Sequence, residues 1–356
     1  MAQNKVLIGM SGGVDSSVAA FLIQQAGEEC IGATMQLYDK RASGTCGASD
    51  DAEDARSVAQ RLGIPHYVFP FQKDFEEKVI QKFVRCYESG ITPNPCIDCN
   101  RHLKFHRLLI QALELGCDQI ASGHYAQIRQ DPNTGRWLLC KAADHAKDQT
   151  YFLACLSQEQ LSRIRFPLGG LTKEEVRRIA EENGFVTARK RDSQDICFVP
   201  DGDYVSFMER YTGKTYPAGN YLDLEGHVVG QHRGAVCYTL GQRKGLGIAL
   251  GAPVYVCGKD MSANTVTVGP NEALFSPALR AKDWNWYPFE ALTEPLRVTV
   301  KIRHSQREQA ATVYPESDGF ARVEFDTPQR AITPGQAVVL YQDDLVIGGG
   351  TITEAL

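Results

Sequence analysis

Gly9-Met10-Ser11-Gly12-Gly13-Val14-Asp15-Ser16-Ser17 follows the apolar run Val6-Leu7-Ile8 directly and leads into a helical pattern after Ser16. Strand, glycine loop and helix in succession bring backbone amides to the positive end of a helix dipole, and the glycines let an anion come close. A glycine turn alone says little, so the letters around it decide. No Lys-Ser or Lys-Thr pair follows the last glycine, as a Walker-type loop needs, and no third glycine completes a dinucleotide fingerprint.

Outward from this loop the alternation continues. CIGATMQL (30–37), HYVFPF (66–71) and CDQIASGHYAQI (117–128) read as strands, with helices expected after Ser16 and over 50–62, 74–87 and 101–115. That is the pattern of βαβ units on a parallel sheet. Two more helices are expected at 157–164 and 172–184, the second opened by Thr172 and Glu175 in capping-box spacing. From about residue 215 short β-rich runs such as TVTVG, RVTVKIRH and AVVLY alternate with Gly, Pro, Asn and Asp. The expected fold class is α/β: a parallel-sheet domain over 1–210, a small central β-rich domain over 211–275, and a C-terminal β-barrel-like domain over 276–356.

A chain of 356 residues accommodates two or three domains. The N-terminus shows neither a signal-peptide pattern nor a long apolar span, which places the protein in the cytoplasm and off the membrane. A net charge of −5 excludes a uniformly basic nucleic-acid coat. RNA contact must therefore use local patches, such as Arg189-Lys190-Arg191, Arg243-Lys244 or Lys301, Arg303 and His304, each of which taken alone is more often a solvated face.

Eleven cysteines at irregular spacing do not form a secreted disulfide framework. Cys30, Cys117, Cys140, Cys155, Cys237 and Cys257 lie in or beside apolar runs and read as packing residues. Cys96, Cys99 and Cys197 are different. Thr92-Pro93-Asn94-Pro95-Cys96-Ile97-Asp98-Cys99-Asn100 reads as an exposed loop between helices, kept open by its prolines. A thiol there, just ahead of a helix, is expected to have a depressed pKa. Half a zinc site is the other reading of CxxC, but no second CxxC exists in the chain.

SGGVDSS resembles the pyrophosphate loop (PP-loop) of the N-type ATP pyrophosphatases, which split ATP between its α and β phosphates. The cofactors implied are ATP and Mg²⁺, with Asp15 as the carboxylate for the ion and Ser11, Ser16 and Ser17 offering hydroxyls. Strand ends line the nucleotide crevice in such folds, which adds Met35 and Gly123. Together with TPNPCIDCN, SGHY (122–125), KDQTYFL (147–153), RDSQDICF (191–198) and LGQRKGLG (240–247), the loop makes the whole chain resemble the bacterial tRNA-specific 2-thiouridylases of the MnmA/TrmU family.

That resemblance implies residue roles. Cys99 becomes the nucleophile and Cys197 the persulfide carrier, the two forming a transient disulfide. Gly9 through Ser16, Met35 and Gly123 would contact the nucleotide. Asn94, Pro95 and Cys96 would border the target base, and Lys147, Asp148, Gln149, Arg303 and His304 would contact tRNA. Many members carry Asp where this chain has Cys96. The partners implied are tRNA and a cysteine desulfurase or sulfur-relay protein.

In the implied reaction the uridine C2 oxygen is adenylated, which makes a poor leaving group breakable. Sulfide released from the Cys197 persulfide then displaces AMP, and the Cys99–Cys197 disulfide is reduced afterwards. An iron-sulfur cluster on Cys96, Cys99 and Cys197 is the less favoured alternative. Two other classes stand beside this one: a synthetase that adenylates a small substrate for nitrogen transfer, which needs no cysteine pair, and an RNA-binding protein without turnover.

Overall fold

The computed structural model describes residues 4–38, 48–190 and 196–356. Lys5–Gly9 forms β1, whose Val6, Leu7 and Ile8 are wholly buried, as befits a central strand covered on both faces. Val14–Gln25 forms α1, Glu29–Gln36 β2, Ala48–Leu62 α2 and His66–Pro70 β3. Next comes a long helix, Gln72–Phe75 (α3) and Gln81–Glu88 (α4), joined by the π-helical turn Glu76–Ile80.

A second long helix follows. Pro95–Cys99 (α5) and Leu108–Glu114 (α6) are joined by a π-helical stretch over Asn100–Arg107. Here the structure corrects the sequence reading. Pro95 does not hold the segment open: it sits at the first turn, where its missing N–H costs nothing, with Asn94 as N-cap. Cys96 and Cys99 are therefore helical. No sequence signal announced the π-helical stretches, which often mark functional positions.

The expected strand at 117–128 is two strands in two sheets. Gln119–Ser122 (β4) joins the first sheet, while Gln127–Gln130 (β5) forms a hairpin with Trp137–Cys140 (β6). Thr150–Leu153 (α7), Gln158–Ser162 (α8), Ile164–Arg165 (β7) and Lys173–Glu182 (α9) complete the layer. The sheet is parallel with order β3-β2-β1-β4-β7. Capping boxes open both α8 and α9, the latter from Thr172 and Glu175 as expected.

Tyr204–Thr212 (α10) leads to a small sheet of Gly219–Leu222 (β8), Val228–His232 (β9), Tyr255–Asp260 (β10) and Thr265–Gly269 (β11). The last domain contains Phe275–Trp286 (β12), Leu296–Lys301 (β13), Gln309–Pro315 (β14), Ala321–Arg330 (β15), Ala337–Gln342 (β16) and Leu345–Ala355 (β17). Pairing of β12 with both β15 and β17 closes these six strands into a barrel. Closure removes the exposed edges that an open sheet would present.

The barrel is stitched to the first domain. β17 pairs with β6 through Leu345 and Cys140, and the Arg136 guanidinium donates to the carbonyls of Tyr287 and Trp286 at 2.7 and 3.1 Å. The central domain shares one apolar cluster with the first: Phe75, Phe83 and Cys99 pack with Tyr221, Val256 and Val266. Among the described residues no helix is long and apolar enough to cross a membrane.

Candidate active site

Gly12 takes a φ of +72°, which favours glycine, and a Cβ there would lie 2.1 Å from the Asp51 carbonyl oxygen of α2. The loop is thus pressed under the first turns of α2. Lys190 fastens the contact, its ammonium donating to the Gly12 carbonyl at 3.0 Å and to the carboxylates of Asp51 and Asp54 at 2.7 Å each. This removes Lys190 from the basic patch expected at 189–191. Arg189 lies on the surface beside Glu181, and Arg191 falls outside the described residues.

The serines brace the loop. Ser16 and Ser17 are buried and both donate to the Gly13 carbonyl, at 3.1 and 2.9 Å, while Ser11 is exposed. The hydroxyls of Ser16 and Ser17 thus turn to the loop's own carbonyl, where phosphates were expected. Gly13 is the N-cap of α1 and contributes no side-chain acceptor to its first-turn amides. That leaves the anion-binding end of the helix to the backbone. Met10 is buried, its carbonyl accepting from Thr34 at 2.8 Å; Met35 is half-buried in β2 rather than beyond it. Gly123 follows β4, and a Cβ there would meet the backbone of Asp15 and Ser16 at 2.6–2.8 Å.

Asp15 is engaged on both oxygens. Lys173 donates to them at 2.7 and 2.8 Å, and the Tyr125 hydroxyl donates to one at 2.8 Å. A magnesium ion on Asp15 would have to displace the ammonium from an oxygen it already holds. The donor set as it stands therefore does not fit a protein-held ion on Asp15. Sequence reasoning missed both partners: Tyr125 stands in SGHY, but Lys173 looked like an ordinary helix-start residue.

The thiols are brought together by packing. Phe198 is buried edge-on against Phe75 and Phe83, at 5.6 and 5.2 Å between ring centroids, which anchors the exposed Cys197 beside it. Tyr38 donates its hydroxyl to the Cys197 carbonyl at 2.6 Å. Cys99 belongs to the same cluster and is 6 % exposed. Across the helix pair, Lys82 reaches the buried Asp98 carboxylate at 2.7 Å.

The expected acidic thiol is overturned at Cys99. Burial pushes its pKa up to about 12; Lys104 opposes this, while the charges of Cys197, Cys96 and Asp98 reinforce it. The helix N-terminus that was to lower it lies a full turn earlier, at Pro95. Cys96 is exposed at that turn, yet the protein crowds it enough that desolvation raises its thiol too, again with Lys104 opposing. Lys104 has no ion-pair partner among the described residues and is the positive charge nearest this chemistry. A raised pKa keeps Cys99 a neutral thiol at neutral pH. Iodoacetamide should therefore label Cys197 and Cys96 first, and labelling of Cys99 should climb about tenfold per pH unit between 7 and 10. Peptide mass spectrometry over that range checks it, and flat Cys99 labelling would contradict the burial argument.

The segment expected to border the target base is held by the barrel. Gln336 donates to the carbonyls of Thr92 and Pro93 at 2.9 and 3.1 Å, and the Thr92 amide donates to the Pro334 carbonyl at 3.2 Å. No local signal could have shown this across more than two hundred residues. The KDQ segment is tied to SGHY: the Gln149 side-chain oxygen accepts from the Tyr125 amide, and the Gln149 amide returns a bond to the Tyr125 carbonyl, each 2.9 Å. Asp148 is buried and accepts from the Ala142 amide and the Thr150 hydroxyl, and Lys147 lies in the preceding turn.

His304 is exposed and packs 4.4 Å from the Phe152 ring, so KDQTYFL and the barrel meet at one surface. Arg303 is half-buried, and its guanidinium donates to the carbonyls of Arg330 and Ala331. Arg243 and Lys244 lie in a loop of the central domain whose Gly241 carbonyl accepts from Arg330 of the barrel at 3.2 Å.

The family models agree with this layout. Residues 4–201 match the tRNA methyl transferase HUP domain, 205–270 the tRNA methyl transferase PRC-barrel domain, and 276–352 the aminomethyltransferase β-barrel domain. A tRNA-specific 2-thiouridylase MnmA from Acetivibrio thermocellus is 51 % identical over 99 % of this chain and 100 % of its own length. The chain belongs to the MnmA family. A second member, from Clostridioides difficile, is 47 % identical over 99 % of both chains. Among solved structures, the U34-tRNA thiolase NcsA from Methanococcus maripaludis with its [4Fe-4S] cluster is 18 % identical, covering 59 % of this chain and 68 % of its own, with a TM-score of 0.35.

Proposed function

We propose that this chain is a tRNA-uridine 2-sulfurtransferase that adenylates the C2 oxygen of a wobble uridine with ATP and replaces it with sulfur from a cysteine persulfide. The observation that carries the reading is that Cys99, buried in the cluster that holds Phe198, feels the charge of Cys197, the residue next to Phe198 and distant in sequence, with Asn94, Pro95 and Cys96 on the same helix start as Cys99. Family membership supports the same reading.

The amides at the start of α1, with Gly9 through Ser16, Met35 and Gly123, receive ATP. The uridine oxygen attacks the α phosphorus, and pyrophosphate leaves with the bond's electron pair. Cys197 arrives as a persulfide loaded by a cysteine desulfurase or relay protein. Cys99 gives up its proton and attacks the inner sulfur, the S–S pair becomes the Cys99–Cys197 disulfide, and the outer sulfur leaves as sulfide. Sulfide adds to the activated carbon and AMP departs. A thiol reductant then returns both cysteines to thiols.

Burial of Cys99 suits this order, because a neutral thiol is inert until a charge or proton acceptor reaches it. Lys147, Asp148, Gln149, Arg303 and His304 form the tRNA-facing region, where Asp148 and Arg303 shape the surface through their internal bonds.

The deciding experiment supplies aerobically purified protein with unmodified tRNA, ATP, a persulfide donor and a reductant, and measures 2-thiouridine by nucleoside mass spectrometry. The persulfide route expects product from wild-type protein and substantial product from Cys96→Ala. Stoichiometric iron in anaerobically prepared protein, lost together with activity in Cys96→Ala, would show that the three cysteines hold a cluster instead.

A further inference from the structure

Lys173 is in an unusual place for a lysine. It is the first residue of α9, where the helix dipole disfavours a cation, and its side chain is only 10 % exposed. The helix start is already complete without it, through the reciprocal bonds of Thr172 and Glu175. α9 is fixed against α1: Val176 and Ala180 pack in one apolar cluster with Val14, Val18 and Ala19. The ammonium is therefore delivered to Asp15, the second residue of α1, by two rigid elements rather than by a mobile side chain on the surface.

Asp15 alone would make this a poor anion site. A carboxylate on the first turn of α1 cancels the attraction of the amides for phosphate. Lys173, at 2.7 and 2.8 Å, neutralises it and restores the positive field. We propose that Lys173 is a phosphate-binding residue, its ammonium meeting the β and γ phosphates of the nucleotide at the start of α1 while Asp15 and Tyr125 hold it in position. This deepens the ATP reading and rests on it. In adenylation the pyrophosphate leaving group gains negative charge as its bond to the α phosphorus breaks, and the ammonium stands where that charge grows.

The test compares ATP with AMP, which lacks both outer phosphates, by calorimetric titration of wild-type protein, Lys173→Met, and the double variant Asp15→Asn with Lys173→Met. Lys173→Met leaves Asp15 without its counter-ion and risks misfolding. The double variant leaves no unpaired charge and is read if the single one fails to fold. The expected result is that ATP affinity falls roughly ten- to a hundredfold in both variants, the worth of a charged hydrogen bond, with AMP affinity within about twofold of wild type. If the double variant regains the wild-type ratio of ATP to AMP affinity, Lys173 merely neutralises Asp15 and the inference is overturned. An unchanged ratio in Lys173→Met overturns it too. Wild-type protein that binds no ATP would sink the nucleotide reading itself, an outcome distinct from a wild type that binds ATP and a variant that binds it equally well.

Discussion

Cys99→Ser and Cys197→Ser proteins are each expected to fold, to bind ATP, and to form no detectable 2-thiouridine. The serine at 99 is nearly isosteric in a cluster that tolerates a small polar group poorly, so a modest stability loss of about 1–2 kcal/mol is expected there. Cys197 is exposed, and its replacement should leave stability unchanged within about 0.5 kcal/mol. The loss of product is chemical in both cases, since exchange needs one sulfur to carry the persulfide and one to open it. The two variants should nevertheless differ. Cys99→Ser retains the loading site and should accumulate persulfide on Cys197 when incubated with a donor, detectable as a 32-Da increment in intact mass. Cys197→Ser should show no such increment at Cys99. Product formation near the wild-type rate in either variant would remove the two-cysteine mechanism.

Gly123→Ala is expected to weaken ATP binding severely without any change in the chemistry of the side chains around it. The methyl would enter within 2.6–2.8 Å of the backbone carbon and oxygen of Asp15 and the amide nitrogen of Ser16. Backbone atoms in a packed helix start cannot swing away as a flexible side chain would, so β4 and α1 must separate or the first turn of α1 must distort. Either displacement misdirects the amides proposed to receive the phosphates and shifts Asp15 from Lys173. ATP affinity should fall about a hundredfold or more, in keeping with an overpacking cost of roughly 1–3 kcal/mol added to lost contacts. Melting should drop by several degrees, and titration with ATP checks the affinity. A variant that binds ATP as wild type does would show that Gly123 lies outside the nucleotide site.

The sequence by itself determined the parts whose physics is local. A glycine loop between an apolar strand and a helix can be read because amide exposure and positive φ are properties of a few adjacent residues, as at Gly12. The capping box of Thr172 and Glu175 was legible for the same reason, as was the change to β-rich texture after about residue 215. Cys96, Cys99 and Cys197 stood out from the other cysteines by the setting of the first two among prolines and by resemblance.

What only the tertiary structure decided was burial and charge pairing. Cys99 looked exposed and acidic because prolines usually open a chain; Pro95 instead starts a helix, and aromatic residues from far along the chain close over the thiol and raise its pKa. Asp15 looked like a metal carboxylate, yet it shares its oxygens with Lys173, 158 positions away. The TPNP segment read as an exposed loop, yet Gln336 of the barrel holds its carbonyls. A side chain's solvation and partners are set by whatever packs against it, and those neighbours come from sequence distances that no local pattern records.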